Sequence, residues 1–550
     1  MSLKRTEEDE SFAKLEALAL RPKAEIAPDA PRILFISLYC FKSFPVRGFH
    51  ALARQAGIHS DALFLKNNFT NRHLPISETE IALLQQVVRD TKPDVIAISV
   101  LTPYVPAARR ACAAIRAVTD VPVVTGGKHA TISPDEALTY ADYACQGEGE
   151  LVLLEMFERM AQRRRDFDGI RGLWHRDAAG AVVDMGQRRL LQDLDKLPFE
   201  AYGEPNMWFI EHDRLDTQDP ELDEDEILVM AGRGCVYKCS YCVNSLLIPQ
   251  NRNNGRFIRV RSPDQVIAQI EDRVARHRHA TKVSFNDEVF GVFDDWTAEF
   301  AAKYTGRGLP PFNSELVPKL IKEANMRLLA AAGLFEMHFG IQSGSDTIRN
   351  DVLDRPGKNP ELIEKAYMLA GLGIQVQCDL ILGNPFDTPE VLAETIELLA
   401  AMPQPLKLNT YKLQYFPHYP LTLRAIEAGF LKPEDVTEDV IAENTLYNFV
   451  YTPVIDRFDR KTVLENCVYL IPWNTALVWW VVTNLARRHN PALAVLANVL
   501  AAWRYQLDFR GNPALVWLRR FWLVGRMVMR GEIGGLARRV AARLLPGRAG

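Results

Sequence analysis

Residues 227–242 read ILVMAGRGCVYKCSYC: an apolar run of strand length, two glycines flanking an arginine, then Cys235, Cys239 and Cys242 at C-x3-C-x2-C spacing. A short apolar run bounded by glycine suits a buried strand, so the cysteines fall on the loop that leaves it. Three thiolates on one loop can meet three corners of a cubane iron–sulfur cluster and leave the fourth iron open. Gly232 and Gly234 let the backbone pass close to such a group. A zinc knuckle is one competing reading, and three unrelated loop cysteines the other. Four-coordinate zinc would need one more ligand, and no second Cys or His pair stands at zinc spacing nearby.

Downstream, strand candidates recur at 282–285 (KVSF), 336–340 (EMHFG), 375–379 (QVQCD) and 408–413, separated by helical stretches. This alternation predicts a full or partial (β/α) barrel with its chemistry at the carboxyl ends of the strands. Those ends carry 285–288 (FNDE), 340–346 (GIQSGSD) and 379–385 (DLILGNP, with Thr388 beyond). Taken alone, Asp287 and Glu288 would suit a helix start, and Ser-Gly or Gly-x-Pro a turn.

Upstream, apolar runs at 33–37, 94–99, 121–125 and, more weakly, 143–145 alternate with helical stretches at 46–56, 78–91 and 107–118. Buried strands alternating with helices predict a doubly wound, Rossmann-like parallel sheet, whose ligands sit at the carboxyl ends. Small and polar groups gather there: Ser37, Ser99 with Thr102, 125–129 (TGGKH) and 147–150 (GEGE). Residues 169–198 read as a hairpin and connector, and the acidic stretch 211–226 as a solvated linker. The division expected is α/β throughout its first parts: a helical lead-in at 1–30, the doubly wound domain at 31–165, hairpin and acidic linker at 166–224, barrel core at 225–425, and a helical C-terminal region at 426–550.

A chain of 550 residues is too long for one core, and its 48% apolar and 24% charged content is that of a globular protein. The net charge of −4 gives no reason to expect a nucleic-acid partner. The charged N-terminus has no apolar signal-peptide core, and eight cysteines are too sparse for a disulfide scaffold, so a reducing cytoplasm is expected. The five other cysteines, Cys40, Cys112, Cys145, Cys378 and Cys467, read as small buried hydrophobes. Charge is uneven, since residues 508–550 hold nine arginines, no lysine and two acidic residues, a net +7 that leaves −11 for the remainder. Stretches 515–529 and 536–545 place arginines among large apolar side chains at helical spacing. That suits an interfacial helix on anionic lipid, with a helical lid over the barrel as the alternative.

The cysteine spacing, with Tyr241 just before the last thiol, resembles the signature of the radical S-adenosylmethionine (SAM) superfamily. The three downstream stretches resemble its cofactor contacts: Asp287 and Glu288 near the methionyl amine, Gln342, Ser343 and Gly344 near ribose and carboxylate, and Gly383 in the segment beside the adenine. Gln342 stands where the family has an acid, so it can bond a hydroxyl but offers no charge. Residues 126–136 and 147–150 resemble the cobalamin-binding domain that precedes many such cores, which would place Ser99, Thr102, Gly126, Gly127, Gly147 and Glu148 near the corrin. The chain has no Asp-x-His-x-x-Gly motif, so no histidine lower ligand is expected, and the loop after the first strand lacks the Asn-Pro opening of many relatives. A flavodoxin-like sheet without corrin is the alternative for this domain, and a packed or exposed loop histidine the alternative for His129.

The resemblance implies three cofactors: a [4Fe–4S] cluster on Cys235, Cys239 and Cys242, S-adenosylmethionine and cobalamin. It implies reductive cleavage of S-adenosylmethionine to a 5′-deoxyadenosyl radical and, in such families, methylation of an unactivated carbon. The expected partners are a small-molecule or lipid-like substrate and an electron donor such as flavodoxin or ferredoxin. Peripheral contact with the inner face of the membrane would run through the basic tail. The rivals are a cobalamin-binding radical enzyme that cyclises, rearranges or oxidises, and a non-catalytic iron–sulfur or corrin sensor.

Overall fold

The strand Arg32–Leu38 (β1) is buried from Ile33 to Leu38, so both its faces need cover and it lies inside a parallel sheet. The computed structural model describes residues 2–19, 26–68, 74–277, 279–442 and 451–505. Residues 1–386 with 401–450 form one compact unit, and 387–400 with 451–550 a second.

In the first unit, β1 pairs in parallel with His59–Leu65 (β2) on one side and Val95–Ser99 (β3) on the other. Val123–Gly126 (β4) and Tyr143–Cys145 (β5) continue the parallel run, and Leu173–Arg176 (β6) and Val182–Asp184 (β7) close that side antiparallel. On the far side Met207–Glu211 (β8) pairs parallel to β2 and turns into Arg214–Asp216 (β9). The order is β7-β6-β5-β4-β3-β1-β2-β8-β9. Alternate residues of β1 feed two cores. Ile33 and Phe35 pack in one with Leu52 and Met156 of the helices Phe44–Gln55 and Glu150–Ala161. Leu34 and Ile36 pack in the other with Leu84 and Ala108 of the helices Glu78–Thr91 and Val105–Arg116. The chain changes side between β1 and β3, the switch point where ligands of such sheets bind.

The acidic stretch is only in part the solvated linker expected from composition. Its start belongs to β8 and β9, and its Asp219 accepts 2.7 and 2.9 Å hydrogen bonds from Arg47 with both side chains fully buried. Asp219 thus answers a buried cation, while Asp213, Asp216, Glu224 and Asp225 are exposed. A reading of apolar runs also leaves out β2, whose start His59, Ser60 and Asp61 make polar, and β8, a four-residue apolar run ending at Glu211.

The second sheet is the partial barrel: Glu226–Val229 (β10), Lys282–Phe285 (β13), Phe312–Leu316 (β14), Leu334–Gln342 (β15), Gln375–Leu382 (β16) and Lys407–Lys412 (β17), all parallel and in that order. Between β10 and β13 lies a two-stranded antiparallel ribbon of Gly232–Arg233 (β11) and Arg259–Val260 (β12). One face of the barrel sheet is apolar, with Phe312, Met337, Phe339 and Cys378 buried and an aromatic cluster of Phe285, Phe290 and Phe300 behind it. The alternate positions Asn313, Glu315, Glu336, His338, Gln377, Asp379, Lys407 and Asn409 share the other face. That polar face hid β14 from a reading of apolar runs.

The second unit holds the helices Arg460–Leu470, Ala476–Arg487 and Pro491–Tyr505, the first and third of them joined by a buried Asn466–Asn498 hydrogen bond of 2.9 Å. The tail stretches 515–529 and 536–545 lie outside the described residues. Among the described residues, no helix is long and apolar enough to cross a membrane.

Candidate functional site

Cys235, Cys239 and Cys242 leave the barrel's first strand through the ribbon, on a loop tied down at its centre. Ser240 donates its N–H to Leu353 O (3.0 Å) and its hydroxyl to Val352 O (2.7 Å), and its carbonyl accepts from Leu421 N–H (3.0 Å). Gly234 has φ +97°, and a Cβ there would lie 2.3 Å from Phe257 O, so glycine alone fits. Burial pushes the Cys235 thiol up to about 11 and raises Cys242, with Glu288 and the neighbouring thiols adding to both. Coordinated iron reverses that preference, because a metal-bound thiol is deprotonated outright. Among the described residues no three Cys, His, Asp or Glu side chains gather as a single metal ion would need. Three soft thiols on one loop, within reach of one another's charge, are the donor set an iron–sulfur core takes. Of the other cysteines, Cys112, Cys145, Cys378 and Cys467 are buried, and Cys40 is half-buried.

The predicted acids beside the loop do different work. Asp287 is buried and accepts from Ala231 N–H (3.0 Å), which anchors the backbone entering the cysteine loop. Burial, partly offset by the Ala231 and Gly232 N–H groups, pushes its carboxyl up to about 7. Glu288 accepts from Asn244 Nδ2 at 3.0 Å. Tyr241 lies against Arg355 and Cys239, and burial raises its hydroxyl well above the usual range.

At the end of β15, Gln342 has φ +67° where the ladder shifts register after Gly340, a kink that turns the strand end. Ser343 is buried, with its hydroxyl accepting from Ser345 N–H, and Gly344 O accepts from Asn359 Nδ2 at 2.7 Å. Gly383 follows β16 with φ +76°. Two residues here escaped the sequence reading. Arg355 places Nη1 3.7 Å from Cys239 Sγ and donates Nε–H to Gly340 O at 2.8 Å. A Cβ at Gly340 would meet that guanidinium at 2.6 Å. Glu315, on the polar barrel face, is held up to about 7 by desolvation and by Asp379. Asp379 is itself raised, first by burial, and accepts from Asn409 Nδ2 at 2.9 Å. The only signals for these were an acid inside a strand-length run and an arginine before Pro356 and Gly357.

In the N-terminal sheet, Ser37, Ser99 and Gly126 stand side by side in register at the carboxyl edge of β1, β3 and β4. Thr102 is buried just beyond. A Cβ on Gly127 (φ +97°) would meet Val100 O at 2.7 Å, so this glycine is needed for packing the loop on β3. His129 is fully buried, with Nε2 paired to Glu136 and Nδ1 without a protein partner. Small hydroxyls and an unpartnered buried imidazole nitrogen fit the polar tail of a corrin. Gly147 has φ +89° and donates to Thr131 Oγ1 at 3.2 Å. Glu148 turns toward the barrel, where it accepts from Arg233 (3.0 Å), from Arg259 (2.9 and 2.8 Å) and from Leu191 N–H (3.0 Å). The two arginines overcome the cost of burial and hold its carboxyl down at about 2.

Comparison with known proteins adds to this geometry. Residues 46–157 match the B12 binding domain family, and residues 229–399 the Radical SAM superfamily. The uncharacterized methyltransferase PH0819 of Pyrococcus horikoshii is 24% identical over 326 residues, which cover 57% of this chain and 65% of that protein. The chain therefore spans just under two thirds of this curated relative. Among solved structures, the cobalamin-dependent S-adenosylmethionine radical enzyme OxsB, with aqua-cobalamin and S-adenosylmethionine bound, is similar with a TM-score of 0.60 at 13% identity, over 94% of this chain and 82% of that one. The radical S-adenosylmethionine methyltransferase TsrM from Kitasatospora setae, with cobalamin and a [4Fe–4S] cluster bound, gives 0.58 at 17% identity, over 72% and 78%.

Proposed function

This chain belongs to the radical S-adenosylmethionine enzymes that carry a B12-binding domain, and from that premise we propose that it methylates an unactivated carbon in a cobalamin-dependent reaction. The observation that carries the reading is the union, in one compact unit, of a three-cysteine loop at the strand ends of a parallel half-barrel and a doubly wound sheet with a small, polar carboxyl edge. When bound, the cluster would supply the electron that breaks the sulfur–C5′ bond of S-adenosylmethionine, and cobalamin a methyl carrier.

The chain's own residues hold, orient and exclude. Cys235, Cys239 and Cys242 would hold the cluster. Arg355, cationic and 3.7 Å from Cys239, suits the cofactor's carboxylate, and Glu288 suits its ammonium group. Asp287 positions the loop through Ala231, and the kink at Gln342 presents Ser343 and Gly344. Ser99, Thr102, Gly126, Gly127 and Gly147 are the proposed corrin neighbours. Glu148, already saturated by two arginines, serves as a support of that edge.

The polar face formed by Glu315, His338 and Asp379 favours a substrate with a polar reacting end. A lipid-like remainder is favoured by the second unit. Its helix Pro491–Tyr505 exposes Val495, Val499 and Trp503 at helical spacing, and Leu477 and Trp480 are exposed on the helix before it. From Asn466 to Leu507 there is no acidic residue, and the +7 of residues 508–550 follows. Exposed tryptophan and aliphatic side chains with excess arginine suit an anionic lipid surface. A flavodoxin or ferredoxin is the proposed electron donor.

The test is product analysis under anaerobic conditions. The reconstituted protein, given reductant and S-adenosylmethionine, should form 5′-deoxyadenosine, and S-adenosylhomocysteine only when cobalamin is supplied. Deoxyadenosine alone would replace methylation by a cyclisation, rearrangement or oxidation. Neither product from a cluster-loaded protein would point to a sensor.

A further inference from the structure

In the ribbon that leads into the cysteine loop, Arg233 stands directly opposite Arg259, two like charges paired across an antiparallel ladder. Such a pair is repulsive by itself. Here it is bridged by carboxylates that follow β5 of the N-terminal sheet. Glu148 accepts from Arg233 Nη1 at 3.0 Å and from Arg259 Nη1 at 2.9 and 2.8 Å, while Glu150 accepts from Arg233 Nη2 at 2.7 Å. Arg259 and Glu150 are buried, so the charges are little screened. The register leaves no slack. Arg233 is two residues from Cys235, and a Cβ on Gly232 would lie 2.9 Å from Arg259 O. Glu148 follows Gly147 on the loop after β5, and Glu150 opens the helix Glu150–Ala161. The connector joins the same knot, with Arg259 donating to Leu191 O (2.9 Å) and Gln187 to Asn251 (2.8 Å).

We propose that Glu148, Glu150, Arg233 and Arg259 form a clasp that fixes the cysteine loop to the edge of the B12-binding sheet, so that these four are positioning residues for transfer between the two cofactors. Isolated ribbon arginines would repel, and isolated buried carboxylates would lack counter-charge; each half is satisfied only when the sheet and the barrel are docked in this register. The clasp acts on geometry between sites and not on the cluster's ability to cleave S-adenosylmethionine. This inference rests on the methylase reading for one of its two tests and is independent of it for the other.

The experiment uses the full chain with Arg233→Gln, Glu150→Gln, the double variant, and Arg233→Lys as the milder change. In the protein without cobalamin, amide exchange of the peptide spanning residues 231–243 should quicken at least tenfold in each Gln variant, and the double should be no faster than the faster single. With both cofactors loaded, the ratio of S-adenosylhomocysteine to 5′-deoxyadenosine should fall at least tenfold, a ratio independent of the folded fraction. Arg233→Lys, which keeps the charge and loses the fork, should fall between. Exchange and product ratio both unchanged would overturn the clasp. A wild-type protein that forms no S-adenosylhomocysteine would sink the methylase reading alone, and the exchange measurement would still decide the clasp.

Discussion

The Arg355 guanidinium lies 3.7 Å from the Cys239 sulfur, held there by its bond to Gly340 O at the end of β15. If Cys239 holds the cluster, a fixed positive charge beside it would stabilise the reduced, more negative state. At an effective dielectric of ~20, Coulomb's law for unit charges about 4 Å apart gives on the order of 4 kcal/mol. For a one-electron couple that is on the order of 100 mV. Arg355→Gln should therefore lower the midpoint potential by that order, read by redox titration with electron paramagnetic resonance. An unchanged or higher potential would remove this role.

The glycine before the first cysteine is a backbone requirement. Gly234→Ala places a side chain at φ +97° and 2.3 Å from Phe257 O. The left-handed strain alone costs about 1–2 kcal/mol, and the clash falls on main chain that the ribbon holds. The variant should retain less than half the wild-type iron after reconstitution; full iron content would show that the loop relaxes.

Asp287 should leave a signature in the pH dependence of stability. Its folded carboxyl sits at about 7, above its unfolded value of about 4, so between these pH values the folded state holds the extra proton. Its contribution is complete below pH ~4 and is lost as pH rises through ~7. Asp287→Asn should remove that decline, so the variant's melting temperature minus the wild type's should grow from pH 5 to pH 7.5 in protein free of cofactors. A difference that stays flat or shrinks would contradict the assignment.

The buried pair Arg47–Asp219 binds the acidic stretch after β9 to the helix Phe44–Gln55, with Arg47 also stacked 4.0 Å above the Tyr202 ring. Removing one partner strands the other charge in the core. Arg47→Ala should cost about 3–5 kcal/mol in denaturant unfolding. A double replacement by apolar residues of similar volume should recover much of the loss.

Membrane contact has a direct measurement. Replacing Trp480, Val499 and Trp503 by serine should reduce co-sedimentation with anionic vesicles at least several-fold and leave that with neutral vesicles unchanged. All three side chains are exposed, so the fold should not suffer. Binding equal to wild type would return these helices to a role within the protein.

Much of this architecture is legible in the sequence where local chemistry decides it. The helix Glu78–Thr91 starts at a capping box of Ser77 and Glu80, and its span is clear from the apolar periodicity. The strands β1 and β3 are short apolar runs with clear ends. β14 was not legible, because Asn313 and Glu315 face the polar side of the barrel and break the run. The burial of Asp219 was hidden too, since composition cannot say that an acid 172 residues from Arg47 will meet it. At the site, the thiols and glycines announce themselves by spacing. Arg355 and the partners of Glu148 depend on contacts between distant segments, and no local pattern encodes those.

The central claim is that Cys235, Cys239 and Cys242 hold a cluster that S-adenosylmethionine coordinates. The most direct measurement is electron paramagnetic resonance of the anaerobically reconstituted, reduced protein with and without S-adenosylmethionine, beside the three single cysteine-to-alanine variants. A [4Fe–4S] signal should change shape when S-adenosylmethionine is added and be lost in each variant. A signal that ignores S-adenosylmethionine, or one that survives in the variants, would contradict the claim.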